Sequence, residues 1–345
     1  MSKRFCSVLR LEGSGTKWIW ILVSVATFLQ AEGLAQDSLD GAHVRIPTQL
    51  MAEAEPHGTV LAASGSIRPV IKTSVDLVLV PVTVTDPMQR LVTGLGPNNF
   101  QVFENRKPQQ IKHFSSEDVP VSLGIIVDTS GSMSSKMDRV REAVKEFCDS
   151  ANPKDEFFVI TFSEEPHLVQ NFTNSAQDIE GRLVFAIPKG RTSLLDAIYM
   201  GVSKMRDAKY SKKALLILSD GGDNHSRYRE QEVKSAVKES DVMFYAIGTF
   251  DRYVPTQEEM LGPQLLSDMA DTTGGRAFIL DDVGQMPALA RRIGMELRTQ
   301  YVLGYSPEKP PHDGKWHKIN VKLKLPRKLD YLRARSKEGY YASEE

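Results

Sequence analysis

The chain has 345 residues, of which 41% are hydrophobic, 25% charged and 8% aromatic. These are ordinary globular values and exclude a collagen-like, low-complexity or wholly disordered chain; the length suits one large domain with a smaller companion. With 43 basic against 44 acidic residues and a formal net charge of −1, the chain lacks the basic excess of a dedicated nucleic-acid binder.

Residues 1–35 read as an export address. Lys3, Arg4, Arg10 and Lys17 precede an apolar run from Trp18 to Leu29, and Gly33-Leu34-Ala35 offers a small-x-small cleavage site. That order describes a secretory signal peptide. The run is shorter than the roughly 20 residues that span a bilayer, and an uncleaved N-terminal anchor is the alternative. The mature chain is expected to carry no transmembrane segment and to work in the periplasm, the cell envelope or outside the cell. It keeps one cysteine, Cys148, so no internal disulfide is possible. Beside Val144 and Phe147 on an apolar helical face, that thiol reads as a buried one.

Residues 36–70 lack periodicity, are rich in Ala, Gly, Ser and Pro, and are expected to form a linker. In 71–118, Val78, Val80, Val82 and Val84 alternate with Leu79, Pro81, Thr83 and Thr85. Period two predicts a strand, and Pro81 assigns it to a sheet edge. Strand-like pieces follow at 100–103 and 110–114. From Val121, strands and helices alternate. The continuous apolar run 123–127 suits a strand buried on both faces. Met133, Met137, Val140, Val144 and Phe147 have the spacing of an amphipathic helix. Further strands at 157–162, 168–172, 214–218, 242–248 and 277–280 interleave with helices at 178–185, 194–205, 230–240, 257–271 and 285–298. Such alternation predicts a doubly wound, mostly parallel, Rossmann-like α/β sheet over 119–298. Beyond it, Ile319, Val321, Leu323 and Leu325 alternate with Lys318, Asn320, Lys322 and Lys324, a half-buried strand with a solvated lysine face. Neither flank can close a core alone. Residues 71–118 and 299–345 are therefore expected to build one small β-sandwich into which the α/β domain is inserted.

Ligands of open α/β sheets bind outside the carboxyl ends of the strands, so the residues that follow each strand matter most. Asp128-Thr129-Ser130-Gly131-Ser132 follows the strand 123–127, and Ser219-Asp220-Gly221-Gly222-Asp223-Asn224 follows 214–218. If the two strands are neighbours, Asp128 and Asp220 crowd each other. Two unit charges about 4 Å apart at an effective dielectric near 20 repel by about 4 kcal/mol, so either one carboxyl is protonated or a cation sits between them. Ser130 and Ser132 stand at alternate positions after Asp128, with Gly131 relaxing the turn, and Thr192 lies in a loop before a helix. Two carboxylates with hydroxyls suit a hard cation: Mg²⁺ first, Mn²⁺ or Ca²⁺ as alternatives.

This arrangement resembles the metal-ion-dependent adhesion site of von Willebrand factor A domains, whose pattern is Asp-x-Ser-x-Ser after the first strand, a Thr in a later loop and an Asp after the fourth strand. The matching residues are Asp128, Ser130, Ser132, Thr192 and Asp220, in the contexts IIVDTSGSM at 125–133, TSLLDAI at 192–198 and LSDGGDN at 218–224. Arg191 stands where that pattern commonly has Gly, and Ser219 where it has Thr; neither is expected to touch a ligand of the ion. Asp223 and Asp196 are possible outer-sphere residues, the former as a turn-former and the latter at a helix N-terminus. The flanking VTVTD at 82–86, FQVFEN at 100–105 and YVLGY at 301–305 resemble a bacterial family of exported, von Willebrand factor A-related proteins. The resemblance implies a binding module and not an enzyme, in which an open position on the ion takes an Asp or Glu carboxylate from a partner protein. No nucleic acid, no catalytic residue and no Gly-x-Ser-x-Gly elbow is expected. The alternatives are a metal-assisted hydrolase using Asp128 and Asp220, and an envelope scaffold in which the metal only rigidifies loops. The simplest structural alternative is that Ser130, Ser132 or Ser134 merely caps the helix that follows.

Overall fold

The computed structural model describes residues 77–220, 222–249, 257–307 and 313–342, together with Val44–Arg45. The export address and most of the 36–70 linker lie outside the described residues. Val44–Arg45 (β1) pairs in parallel with Val92–Thr93 (β3). Before the α/β block the chain also forms β2 (Val78–Thr85), β4 (Phe100–Glu104), β5 (Lys107–Gln109) and β6 (Ile111–Ser115). Asn105 and Arg106, both at positive φ, turn β4 into β5. Two-residue turns of this kind match the twist of a hairpin.

The block opens with β7 (Ser122–Asp128), α1 (Met137–Ser150), β8 (Glu156–Phe162), β9 (Pro166–Thr173), α2 (Ala176–Val184) and α3 (Leu194–Lys204). It continues with β10 (Lys213–Ser219), α4 (Glu230–Glu239), β11 (Val242–Thr249), α5 (Gln257–Thr273), β12 (Arg276–Leu280) and α6 (Met286–Arg298). Its sheet has the order β12-β11-β10-β7-β8-β9, and every pairing is parallel except β8 with β9. The strand β7 is buried at all seven positions because helices cover both faces. Leu123, Ile125 and Val127 join the core with Val140, Val144 and Ile293 of α1 and α6. Ile126 turns the other way, to Ala197 and Ile198 of α3 and Leu266 of α5. Such two-sided burial is what a continuous apolar run encodes.

After α6 come β13 (Tyr301–Tyr305), β14 (Trp316–Leu323), β15 (Arg333–Ser336) and β16 (Gly339–Tyr341). They intercalate with the strands of the first flank into two four-stranded sheets, β15-β2-β13-β6 and β16-β14-β4-β5. One core joins both sheets: Val80, Val82, Tyr301 and Leu303 from the first, Phe100, Val102 and Ile319 from the second. The α/β block is thus inserted in a small sandwich that neither flank builds alone. A buried network ties the two layers together. Glu296 of α6 accepts hydrogen bonds from Thr83 Oγ1 of β2 (3.1 Å) and Tyr245 OH of β11 (3.0 Å), and Gln300 Nε2 donates to both Thr83 Oγ1 and Tyr245 OH. Burial, then Glu296, push the Tyr245 phenol well above its ordinary pKa, which keeps it a donor.

Two expectations change. Pro81 does not put β2 at the edge, for β2 lies between β15 and β13. The physical reason is local: β15 reaches only to Val82, so Pro81 has a register partner, Val302, on one side alone. The helix after β7 starts at Met137, not Met133. Gly131–Met133 forms a 3₁₀ turn first, and Met133 is buried in the same core from there.

Candidate functional site

The register of the two central strands ends with Leu218 opposite Val127. Asp128 and Ser219-Asp220 therefore leave the sheet side by side at its carboxyl edge. Asp128 and Asp220 are both buried. Burial first, then repulsion by Asp220, push the Asp128 carboxyl up to about 6, against hydrogen bonds from Ser130 and Ser219 that favour its charge. One oxygen of Asp128 accepts from the Ser130 amide at 2.8 Å, and the other from Ser219 Oγ at 2.6 Å. Ser219 therefore does touch the proposed ligand set, contrary to the sequence expectation. Asp220 receives Lys136 Nζ at 3.0 Å, an ion pair largely out of water.

Of the hydroxyl residues, Ser130 contacts Asp128. Ser130 Oγ and Ser132 Oγ lie 3.1 Å apart. Ser130 is buried and Ser132 is exposed, so the pair runs from the corner to its mouth. Neither caps a helix: Ser130 makes no side-chain capping bond, α1 has none at its start, and it is Ser134 Oγ that bonds back to the Gly131 carbonyl. Helix capping leaves their facing hydroxyls unexplained.

The loop 189–192 is stitched to both strand ends. The Lys189 amide donates to the Thr129 carbonyl at 2.9 Å and the Gly131 amide to the Gly190 carbonyl at 3.1 Å. Thr192, buried, gives its amide to Asn224 Oδ1, and its carbonyl accepts from the Asn224 and His225 amides. Gly190 has φ +80°, and a Cβ there would meet Glu164 at 3.0 Å. Gly131 is different. Its φ is not in the left-handed region, and a Cβ would stand 3.6 Å from the nearest atom, the Gly190 carbonyl, so it does not relax the turn through an unusual φ.

Asp223 accepts from the Leu195 amide and from Ser226 Oγ. Asp196 accepts from the Arg227 and Tyr228 amides at 2.8 and 3.0 Å and from Arg227 Nε. Both carboxylates fasten the 223–228 segment to α3. Asp196 is not simply favouring its own helix terminus. Lys136 is a contact of Asp220 that the sequence reading does not include, and Asn224, read like Asp223 as a turn-former, bonds the Thr192 amide. The spacing hints at Lys136, which opens the helix four residues after Ser132. Cys148 is buried and its thiol is pushed up to about 12, chiefly by burial.

Among the described residues no group of three or more His, Cys, Asp or Glu is placed to hold a metal. A metal in this corner would have to be held by two carboxylates with neutral hydroxyls, a donor set of oxygens only. That set fits a hard cation, and the residual crowding at Asp128 is what such an ion would relieve.

Residues 123–222 match the family model of the von Willebrand factor type A domain. The inter-alpha-trypsin inhibitor heavy chain H4 of Homo sapiens is 28% identical over 150 residues, covering 37% of this chain and 16% of that protein. Its Bos taurus counterpart is 25% identical over 147 residues, covering 38% and 16%. The chain thus spans about a sixth of the length of the curated relatives it matches. A solved von Willebrand factor type A protein from Catenulispora acidiphila superposes with a TM-score of 0.45 at 13% identity, over 78% of this chain and 74% of that one. No helix among the described residues is long and apolar enough to cross a membrane.

Proposed function

We propose that this chain is an exported, non-enzymatic protein-binding module whose α/β domain holds one divalent cation, Mg²⁺ first, with Mn²⁺ or Ca²⁺ as substitutes, and uses it to take an Asp or Glu carboxylate from a partner. The observation that carries the reading is the pair Ser130 Oγ and Ser132 Oγ, 3.1 Å apart and unused in capping, next to the buried Asp128, which accepts from the Ser130 amide. When bound, the ion supplies a Lewis-acidic position open to an incoming anion. The residues do the rest. Asp128 and Asp220 provide the negative charge, directly or through water. Ser130, Ser132 and Thr192 contribute oxygens without charge, so the ion keeps its appetite for a further anion. Ser219 and the Ser130 amide hold the Asp128 carboxylate in one orientation. Asp223 and Asp196 act from outside, by fixing the 223–228 segment against α3.

A hydrolase reading has less support. Lys136, the basic group at this corner, is already engaged by Asp220. The test is capture of partner from envelope extract by the immobilised chain in Mg²⁺, in EDTA, and with Asp128→Ala. The reading expects capture lost in EDTA, restored by Mg²⁺ and absent for the variant. Mg²⁺-dependent stabilisation without EDTA-sensitive capture would instead favour a scaffold. Asp128-dependent hydrolysis of phosphate esters or peptides would favour the enzyme.

A further inference from the structure

The end of α2 and the segment that follows it expose three large apolar side chains: Val184 is 61% exposed, Phe185 81% and Ile187 76%. Scattered apolar residues on a surface need no explanation, but a contiguous cluster beside a functional corner marks an interaction surface. This cluster is contiguous in the chain and close to the corner. Ile187 stands two residues from Lys189, and two residues of chain span at most about 7 Å. Lys189 is itself bonded to the Thr129 carbonyl, and Gly190 to Gly131.

The segment is also anchored rather than loose. Arg141 of α1 donates from Nε to the Leu183 carbonyl at 3.1 Å and from Nη2 to the Ala186 carbonyl at 3.3 Å. A surface held in place before binding loses less entropy on association. Its charges are Lys189 and Arg191, both exposed. Glu164, which abuts Gly190, offsets part of that positive charge, and Lys136 is already paired with Asp220.

We infer that Val184, Phe185 and Ile187 form the specificity surface for the partner, and that the partner presents an acidic residue flanked within a few positions by aliphatic or aromatic side chains. The carboxylate goes to the hydroxyl-lined corner, and the apolar neighbour lies on Phe185 and Ile187. Lys189 and Arg191 complement the acid between them. This rests on the metal reading above and adds to it the chemistry of the flanking residues.

The probe is a displayed library of random peptides with a fixed central Asp, selected in Mg²⁺ on the full chain. Selected peptides should be enriched in Leu, Ile or Phe near the Asp. Their affinity, read by fluorescence polarisation, should fall by about tenfold or more in Phe185→Ser/Ile187→Ser, the order expected for losing burial of two apolar side chains. The Mg²⁺ affinity of that variant, measured calorimetrically with the metal alone, should stay as in the parent, which also reports that the corner is folded. Selection without apolar enrichment, or peptide affinity indifferent to the variant, overturns the inference while Mg²⁺ binding leaves the metal reading standing. A parent chain that dimerises in solution through Phe185 and Ile187 overturns it too, by assigning the surface to a second copy. A parent chain that binds no Mg²⁺ removes the metal reading and this inference together.

Discussion

Asp128 and Asp220 could be read from sequence because a carboxylate directly after a buried strand lands at a sheet edge wherever the helices fall. The alternate spacing of Ser130 and Ser132 was enough to place their hydroxyls on one side, where they lie 3.1 Å apart. Lys136 and Ser219 could not be assigned in the same way, because their roles depend on where a side chain ends, not on where its backbone starts. Lys136 Nζ sits 3.0 Å from Asp220 and is a resident cation in a corner proposed for another. Lys136→Met should therefore tighten Mg²⁺ binding by about tenfold, since a charge-assisted hydrogen bond of ~1.5–3 kcal/mol no longer competes. The same variant should lower stability of the metal-free protein, because two crowded carboxylates lose their ammonium. Calorimetric titration with Mg²⁺ and urea melts in EDTA measure the two effects; weaker Mg²⁺ binding would make Lys136 a supporter of the site instead.

At the scale of elements, periodicity located the strands and helices of the α/β block, and the errors fell at their ends. The chain from Ser130 to Lys136 forms the turn that carries the candidate serines, so α1 begins a turn later than the Met133–Met137 spacing implies. Pro81 is accommodated because the neighbouring strand stops at Val82, a fact of register that composition does not contain. The loop 189–192 is fastened to the end of β7 beside Gly190 at φ +80°. Gly190→Ala should cost about 1–2 kcal/mol of stability and weaken Mg²⁺ binding several-fold by displacing Thr192. Gly131→Ala, at an ordinary φ and with a Cβ contact of 3.6 Å, should be much milder. Paired urea melts and Mg²⁺ titrations would show it, and equal penalties would contradict the assignment of the strain to Gly190.

For the whole molecule, the inserted arrangement was legible because each flank is too small to bury its own core, whereas the polar bond between layers was not. Thr83, Tyr245 and the pair Glu296 and Gln300 lie on three separate stretches and meet only once both layers are folded. Glu296→Leu should destabilise by about 2 kcal/mol, the cost of leaving buried hydroxyl donors without their acceptor, and should leave Mg²⁺ affinity unchanged. A chain as stable as the parent in urea would show the network to be dispensable. Lys212, before β10, gives a pH signature far from the site. Its Nζ donates to the Leu297 carbonyl, and burial lowers its pKa to about 8 despite Asp118 and Asp155. The unfolded chain then binds more protons than the folded one between pH about 8 and about 10.5, so this group adds stability as pH rises through that window. The stability of the parent relative to Lys212→Met should rise over that range, read from urea melts at successive pH values. A constant difference would mean that Lys212 titrates normally.

The central claim is that a hard cation is gripped where the two central strands end. Diffraction from crystals soaked in Mn²⁺, recorded for its anomalous signal, tests it most directly. The account predicts a single strong peak within coordination distance of Ser130 Oγ and Ser132 Oγ, lost in Asp128→Ala crystals soaked alike. A corner without a peak at saturating Mn²⁺, or a peak elsewhere that survives the substitution, would contradict it.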